Sequence, residues 1–444
     1  MKLVRLAPLI VLLAAGCSRG VDISEPDAPG THPNAGRERI PVLTFEQQLE
    51  ADPALANVRI VLPRPYRNLS WPQSGGVPTH AVHHLALGDP LTRAWRVDIG
   101  AGSDMFTRLI MSPVVADGRI FTIDTRGRVS AWRTADGRRL WSTELRLKGE
   151  KRALAFGGGL AVAGDRLIVT TGFGFISALA VDDGHEIWRY QGVVPFRGAP
   201  TIADGRIFAV TQDNEVLALD LGEGQLLWTE AGLPEDAGIL GAASPAVQSD
   251  TVVAALSSGE LLAMRVENGR QSWQDTLSRT RRLTPLATLA DIDGDPIIDR
   301  GRVYAVGHAG RMVAIDMRSG ERVWENNVAS VDTPWIAGDY IFVVTVDDEV
   351  AAVNAADGRI RWVTRLQRFK DIEDRKGPLA WTGPVLAGDR LIVVSTHGAL
   401  LTLSPYTGEI LGGVELPASS VAMPVVADGT LYVLTEEADL IAYR

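Results

Sequence analysis

Cysteine is almost absent: Cys17 is the single one in 444 residues. Without a cysteine pair the chain cannot cross-link itself, so its stability must come from packing. Also missing near the N-terminus is an apolar run of spanning length, because Leu6 to Ala15 is too short to cross a bilayer as a mature helix. Helical periodicity is nearly absent outside one stretch at 44–57. No basic cluster offsets the formal net charge of −10, which argues against nucleic acid or an anionic lipid surface as the main partner. There is no G-x-S-x-G elbow, P-loop or zinc-protease motif. Phe156-Gly157-Gly158-Gly159 lacks the Lys-Ser/Thr end that holds phosphate and reads as the opening of a structural unit.

What is present is a repeat. An eleven-residue frame with alanine first, glycine seventh and tryptophan last recurs as AWRTADGRRLW (131–141), ALAVDDGHEIW (178–188), ALDLGEGQLLW (218–228), AMRVENGRQSW (263–273), AIDMRSGERVW (314–324) and AVNAADGRIRW (352–362). A degenerate copy, TLSPYTGEILG, occupies 402–412. The apolar opening of each frame suits a buried strand, and pairs such as Asp136-Gly137 and Asn268-Gly269 supply the positive φ of a tight turn. The tryptophan is placed to cover a neighbouring sheet.

Upstream of each frame lies another hairpin, as in Asp117-Gly118-Arg119-Ile120-Phe121, and before most of these a short segment headed by Pro113, Pro200, Pro245, Pro296, Pro334, Pro384 or Pro424. Each unit is therefore three hairpin-linked strands plus a fourth ending at the tryptophan. Such four-stranded antiparallel units, repeated at roughly forty to fifty residues without helices between them, predict propeller blades. The last unit, Met423 to Arg444, holds three strands, while an orphan strand with its own tryptophan, Thr92 to Asp98, precedes the first complete unit. The N-terminal strand can complete the last blade and remove an open edge. The predicted fold is all-β, an eight-bladed β-propeller over 92–444; a weak unit that failed to form would leave seven blades.

Lys2 and Arg5, the apolar run and Ala14-Ala15-Gly16 before Cys17 make a secretory signal over 1–16. Its LLAAGC ending looks like a bacterial lipobox, with Cys17 the residue that takes lipid; an ordinary signal peptide with an incidental cysteine is the alternative. Acyl chains on Cys17 would hold the protein on a membrane without a spanning helix. Residues 17–40 then read as a Pro-, Gly- and Asp-rich tether, and 41–91 as an extension. In that extension Phe45 to Leu55 is expected as a helix, Val58 to Trp71 as extended chain, and Tyr66 and Trp71 along the ring's outside.

The lipobox, the tether, the orphan tryptophan strand and the repeat together resemble the BamB family, lipoprotein subunits of the outer-membrane β-barrel assembly machine. The resemblance spans nearly the whole chain. It implies a non-enzymatic scaffold without cofactor, anchored through Cys17 to outer-membrane lipid at the periplasmic face. Its implied partners are the POTRA domains of BamA, other subunits of the complex and unfolded outer-membrane protein precursors, with no nucleic acid. The family's two partner-binding connections correspond to Ala237 to Pro245, with Ile239 and Leu240 the partner-binding residues, and to Leu289 to Pro296, with Asp291 and Asp293 the acid-x-acid pair. Leu240 stands where the family has an arginine.

Exposed apolar anchors beside a small acidic cluster also make a docking site on physical grounds. The alternative is that Ile239 and Leu240 tuck under their own loop. A competing class is a periplasmic oxidoreductase using pyrroloquinoline quinone, which shares tryptophan-bearing repeats but needs calcium, a carboxylate base and long roofing loops. A propeller that binds sugar or peptidoglycan is a third. Asp291, Asp293 and Asp295 mimic the start of a calcium loop, yet Pro296 and Arg302 stand where that loop needs Gly and Glu. His80, His83 and His84 have no adjoining cysteine or paired carboxylate and read as packing or surface residues, while His185, His308 and His397 fall at turns and read as solvated. The charged run Arg365 to Lys376 reads as a solvated loop between blades.

Overall fold

The computed structural model describes residues 49–145, 157–235, 242–277 and 291–444. Eight four-stranded antiparallel sheets form the blades of a propeller. Numbered in chain order, blade 1 is Val114–Ala116, Arg119–Ile123, Arg128–Arg133 and Arg139–Glu144. Blades 2 to 7 open at Gly158, Thr201, Ala246, Ile297, Trp335 and Trp381. Blade 8 takes three strands from Val425–Ala427, Thr430–Leu434 and Asp439–Tyr443, and its outermost strand is Arg93–Asp98, paired antiparallel with Asp439–Tyr443. The ring is thus closed by the N-terminal strand, as the orphan tryptophan predicts.

The frame is a device for joining blades. Its first and last residues lie directly opposite each other on the third and fourth strands, as Ala131 and Trp141, Ala218 and Trp228 or Ala352 and Trp362 do. A small residue there leaves room for the indole. The tryptophan is not the strand's end: it sits third in a six-residue outer strand such as Arg139–Glu144, whose exposure alternates while the two strands inside it are buried between neighbouring blades.

Each indole lies over the frame glycine of the next blade. A Cβ on Gly137, Gly184, Gly224, Gly269, Gly320, Gly358 or Gly408 would fall 2.4–2.8 Å from a side-chain carbon of the preceding blade's tryptophan. All seven glycines have φ between +70° and +79°. Each indole N–H also donates, at 2.8–3.2 Å, to the carbonyl at the fourth frame position of that next blade, from Trp95 to Thr134 round to Trp362 and Pro405. The polar tip of a mostly buried ring thereby finds its partner.

The extension departs from expectation in two ways. The helix predicted over Phe45 to Leu55 is, within the described residues, only the 3-10 turn Pro53–Leu55, started by Asp52 and Pro53. Trp71, expected outside the ring, is 2% exposed and stacks on Trp335 with centroids 6.1 Å apart. Residues 68–85 circle inside the ring and bond once or more to every blade. Asp428 N–H donates to Asn68 O, Trp71 and Val115 exchange two bonds, and Val162, Val247 and Ile298 N–H donate to Pro72, Pro78 and Thr79. Ile202 N–H meets Gln73 Oε1, the Trp335 indole meets His83 O, and Leu85 bonds to Leu386 and Gly388. The innermost strands would otherwise turn unpaired backbone groups to the axis; the segment satisfies them and fills that half of the channel.

Two smaller readings are settled as well. Gly158 opens the innermost strand Gly158–Ala163 of blade 2. The run Arg365 to Lys376 lies between blades 6 and 7, as expected, and carries a small hairpin, Phe369–Asp371 with Lys376–Pro378.

Candidate partner-binding rim and axial funnel

Antiparallel order puts the connections between blades, with the turns joining second to third strands, on one rim. The other rim carries the first and third turns of each blade, and there Gly338 and Gly388 meet residues 61–63 and 87 of the extension. The connection rim bears apolar side chains with no core to enter: Val193 is 100% exposed and Met105 89%, with Phe106, Leu233 and Ile372 also exposed. Exposed apolar groups gathered on loops are a surface for association.

The predicted acidic motif lies in the connection into blade 5. Asp291 is buried, and its carbonyl accepts the His308 N–H at 2.9 Å. Asp295 is buried too, accepting Ser74 Oγ and Ser244 N–H at 2.6 Å each, so this carboxylate fastens the axial segment to blade 4. Asp293, between them, faces the axis. Cys17, Ile239 and Leu240 lie outside the described residues, so only the acidic half of the predicted site is placed, with Asp293 its accessible member.

Asp293 lines a funnel of about 320 Å³ entered from the connection rim and floored by Trp71, Gln73 and Ser74. Its wall is apolar at Ile110, Met111, Leu160, Val331 and Met423 and polar at Arg197, Asp332 and Thr333. Blades 5 and 6 touch here: a Cβ on Gly294 would lie 2.5 Å from Asp332 O, and Asp295 N–H donates to Thr333 Oγ1 at 2.9 Å. Glycine is required at 294 by that approach alone.

Burial first, then the neighbouring Asp291, pushes the Asp293 carboxyl up to about 7, against the pull of Arg197. Burial and then Asp293 push Asp332 up to about 8 although the Gly383 amide favours its charged form. Asp332 and Gln73 belong to other parts of the chain, and the sequence reading missed both.

The histidines take structural places. His80 Nδ1 is 2.8 Å from Pro296 O, and His84 lies between Pro63 O and the Asp389 N–H, so two of the three sit inside the fold. His308, read as solvated, is instead half-buried, and desolvation lowers its pKa. Among the described residues no group of three His, Cys, Asp or Glu side chains is arranged to hold a metal ion.

The sequence profile described as "Outer membrane protein assembly factor BamB" matches residues 86–154, 146–364 and 346–444. The chain is 25% identical over 358 residues to the protein of that description from Yersinia pestis, covering 79% of this chain and 88% of the relative. In structure it is similar to BamB from Moraxella catarrhalis, with TM-score 0.67, 19% identity, and 80% of this chain and 99% of that one covered. It is also similar to a quinohemoprotein alcohol dehydrogenase from Pseudomonas putida HK5, with TM-score 0.65, 13% identity, and 84% and 80% covered. At such identities the structural likenesses speak to the propeller fold.

Proposed function

The chain belongs to the family of the outer membrane protein assembly factor BamB, and on that premise we propose that it is a non-enzymatic scaffold of the outer-membrane barrel-assembly complex. Its connection rim docks on the periplasmic POTRA domains of BamA and so helps incoming barrel precursors to insert. Lipid on Cys17 holds it at the periplasmic face of the outer membrane, with 17–40 as tether.

The observation that carries this reading is the rim itself. The side chains of Val193, Met105, Phe106 and Leu233 are exposed on inter-blade connections, on the rim from which a funnel lined by Asp293 is entered. Apolar anchors around a small charged centre fit a protein partner with a basic patch. Asp291 acts from beneath, fixing the loop through its backbone bond to His308. Ile239 and Leu240, the apolar half of the family's contact, are proposed as further partner-binding residues. The quinoprotein alternative has less support, because residues 68–85 fill half of the axis and the remaining half is open at its mouth.

Co-purification from detergent-solubilised membranes tests the proposal. The full-length protein should recover BamA, and replacing apolar rim anchors with charge, Val193→Asp with Met105→Asp, should reduce recovery about tenfold or more. Absence of BamA under conditions that keep the rest of the complex together, or recovery indifferent to both substitutions, would overturn it.

A further inference from the structure

The funnel contains two raised carboxyls, Asp293 and Asp332, of which Asp332 accepts from the Gly383 amide. Asp295 is fully engaged by Ser74 and Ser244, but Asp293 Oδ2 is buried with no hydrogen-bond partner among the described residues. Asp332 is its neighbour, held close by the contact between Gly294 and the Asp332 carbonyl. At the floor Gln73, 2% exposed, spends its Oε1 on Ile202 N–H and leaves a buried Nε2 without an acceptor. Buried polar atoms in native proteins are almost always paired, so an acceptor and a donor both idle in one cavity call for a ligand that supplies their complements.

The shape narrows the ligand. Ile110, Met111, Leu160, Val331 and Met423 make an apolar sleeve around carboxyls, which suits a methylene stem carrying a cationic tip. The idle Gln73 amide asks for a carbonyl as well. A lysine or arginine residue within a polypeptide offers all three. The mouth opens on the rim already assigned to docking, and the floor is shut by residues 71–74, so entry is from the partner's side. Resting on that assignment, we infer that the axial funnel receives one lysine or arginine residue from a loop of the docked partner.

The charged neighbours give the inference a pH signature. Asp293 faces Asp291, Asp332 and Arg197, while Asp332 faces Asp293 and the Gly383 amide. With carboxyls at about 7 and about 8, the empty funnel holds both largely protonated at pH 6 and both largely ionised at pH 8.5. A cation binds the ionised form, so affinity rises with pH across this window, and binding below it releases protons.

The test is calorimetric titration of the full detergent-solubilised chain with N-acetyl-Gly-Arg-Gly-amide. The expected result is saturable binding at least about tenfold tighter at pH 8.5 than at pH 6, with heats that depend on buffer ionisation at pH 7. The glutamine analogue of the peptide should not bind, a comparison that needs no protein variant. Asp293→Asn with Asp332→Asn should abolish binding while the protein still unfolds at a temperature no lower than the parent's. Equal binding of the two peptides, no binding at either pH, or binding retained by the double variant would each overturn the inference. If the peptide fails while BamA still co-purifies, the funnel assignment falls and the docking rim stands. Peptide binding without BamA recovery would keep the funnel and remove that partner.

Discussion

Seven of the eight blade interfaces carry the same tryptophan-on-glycine lock, and the eighth, between blades 7 and 8, carries none. Position eleven of the blade 7 frame is Gly412, and a Cβ there would meet nothing within 4 Å. The reason lies across the interface. Because blade 8 receives its outer strand from Arg93–Asp98, no turn runs from its third strand to its fourth, and an indole would have no glycine to cover. The tryptophan lapses where its receptor is missing, which identifies the repeat as joinery and not as chemistry.

That seam is braced another way. Arg390 of blade 7 bonds to Asp89 Oδ1 and Gly88 O, while Arg67 and Asn68 bond to Asp428 and Val426 of blade 8. His84 takes the Asp389 N–H from within the axial segment. Locked interfaces are held by a buried ring, the seam by a strap from the extension.

Breaking a lock should have the largest effect. Trp324→Ala removes a ring that is 8% exposed, its bond to Ala355 O and its contact with Tyr304, and should cost about 3–5 kcal/mol in urea unfolding. A smaller loss would mean that the locks are not the main inter-blade bond. The glycines sharpen the contrast. Gly224→Ala must place a Cβ 2.4 Å from the Trp188 ring at φ +70° and should cost about 2–4 kcal/mol, whereas Gly412→Ala should change stability by less than about 1 kcal/mol. Comparable losses at the two sites would erase the distinction drawn here. Smallest is Arg390→Ala, expected to cost about 1–2 kcal/mol and to speed amide hydrogen exchange in Ile410–Glu415 and Arg93–Asp98 more than in other outer strands. Uniform exchange around the ring would show that the strap does not serve the seam.

The blades were legible because their signals are local. Asp-Gly turns, a proline ahead of most innermost strands and an alanine ten residues before each tryptophan are read along the chain without knowing what they touch. The closing strand was legible for the same reason, as an unmatched Trp95. The axial segment was not, because residues 68–88 have no period of two or of 3.6 and resemble a linker in their Pro and Gly content. One signal was available. In a chain that is 22% charged, those residues contain no Asp, Glu, Lys or Arg, and a solvated linker has no cause to avoid charge. The acidic motif was visible at 291–295, but its burial was not: Asp291 and Asp295 are buried, and Asp293 and Asp295 both line the funnel. Asp332 and Gln73 join it only through contacts between separate blades and the extension, which a single sequence does not display.

The pairing of Arg93–Asp98 with Asp439–Tyr443 has a consequence for how the molecule comes into being. Arg96 meets Asp439 across 343 positions of chain, so a polypeptide made from its N-terminus carries its first strand unmatched until its final strand exists. Over that interval Trp95, the extension and the edge of the last sheet are all open to misassociation, and loss of the last few residues would leave a horseshoe in place of a ring.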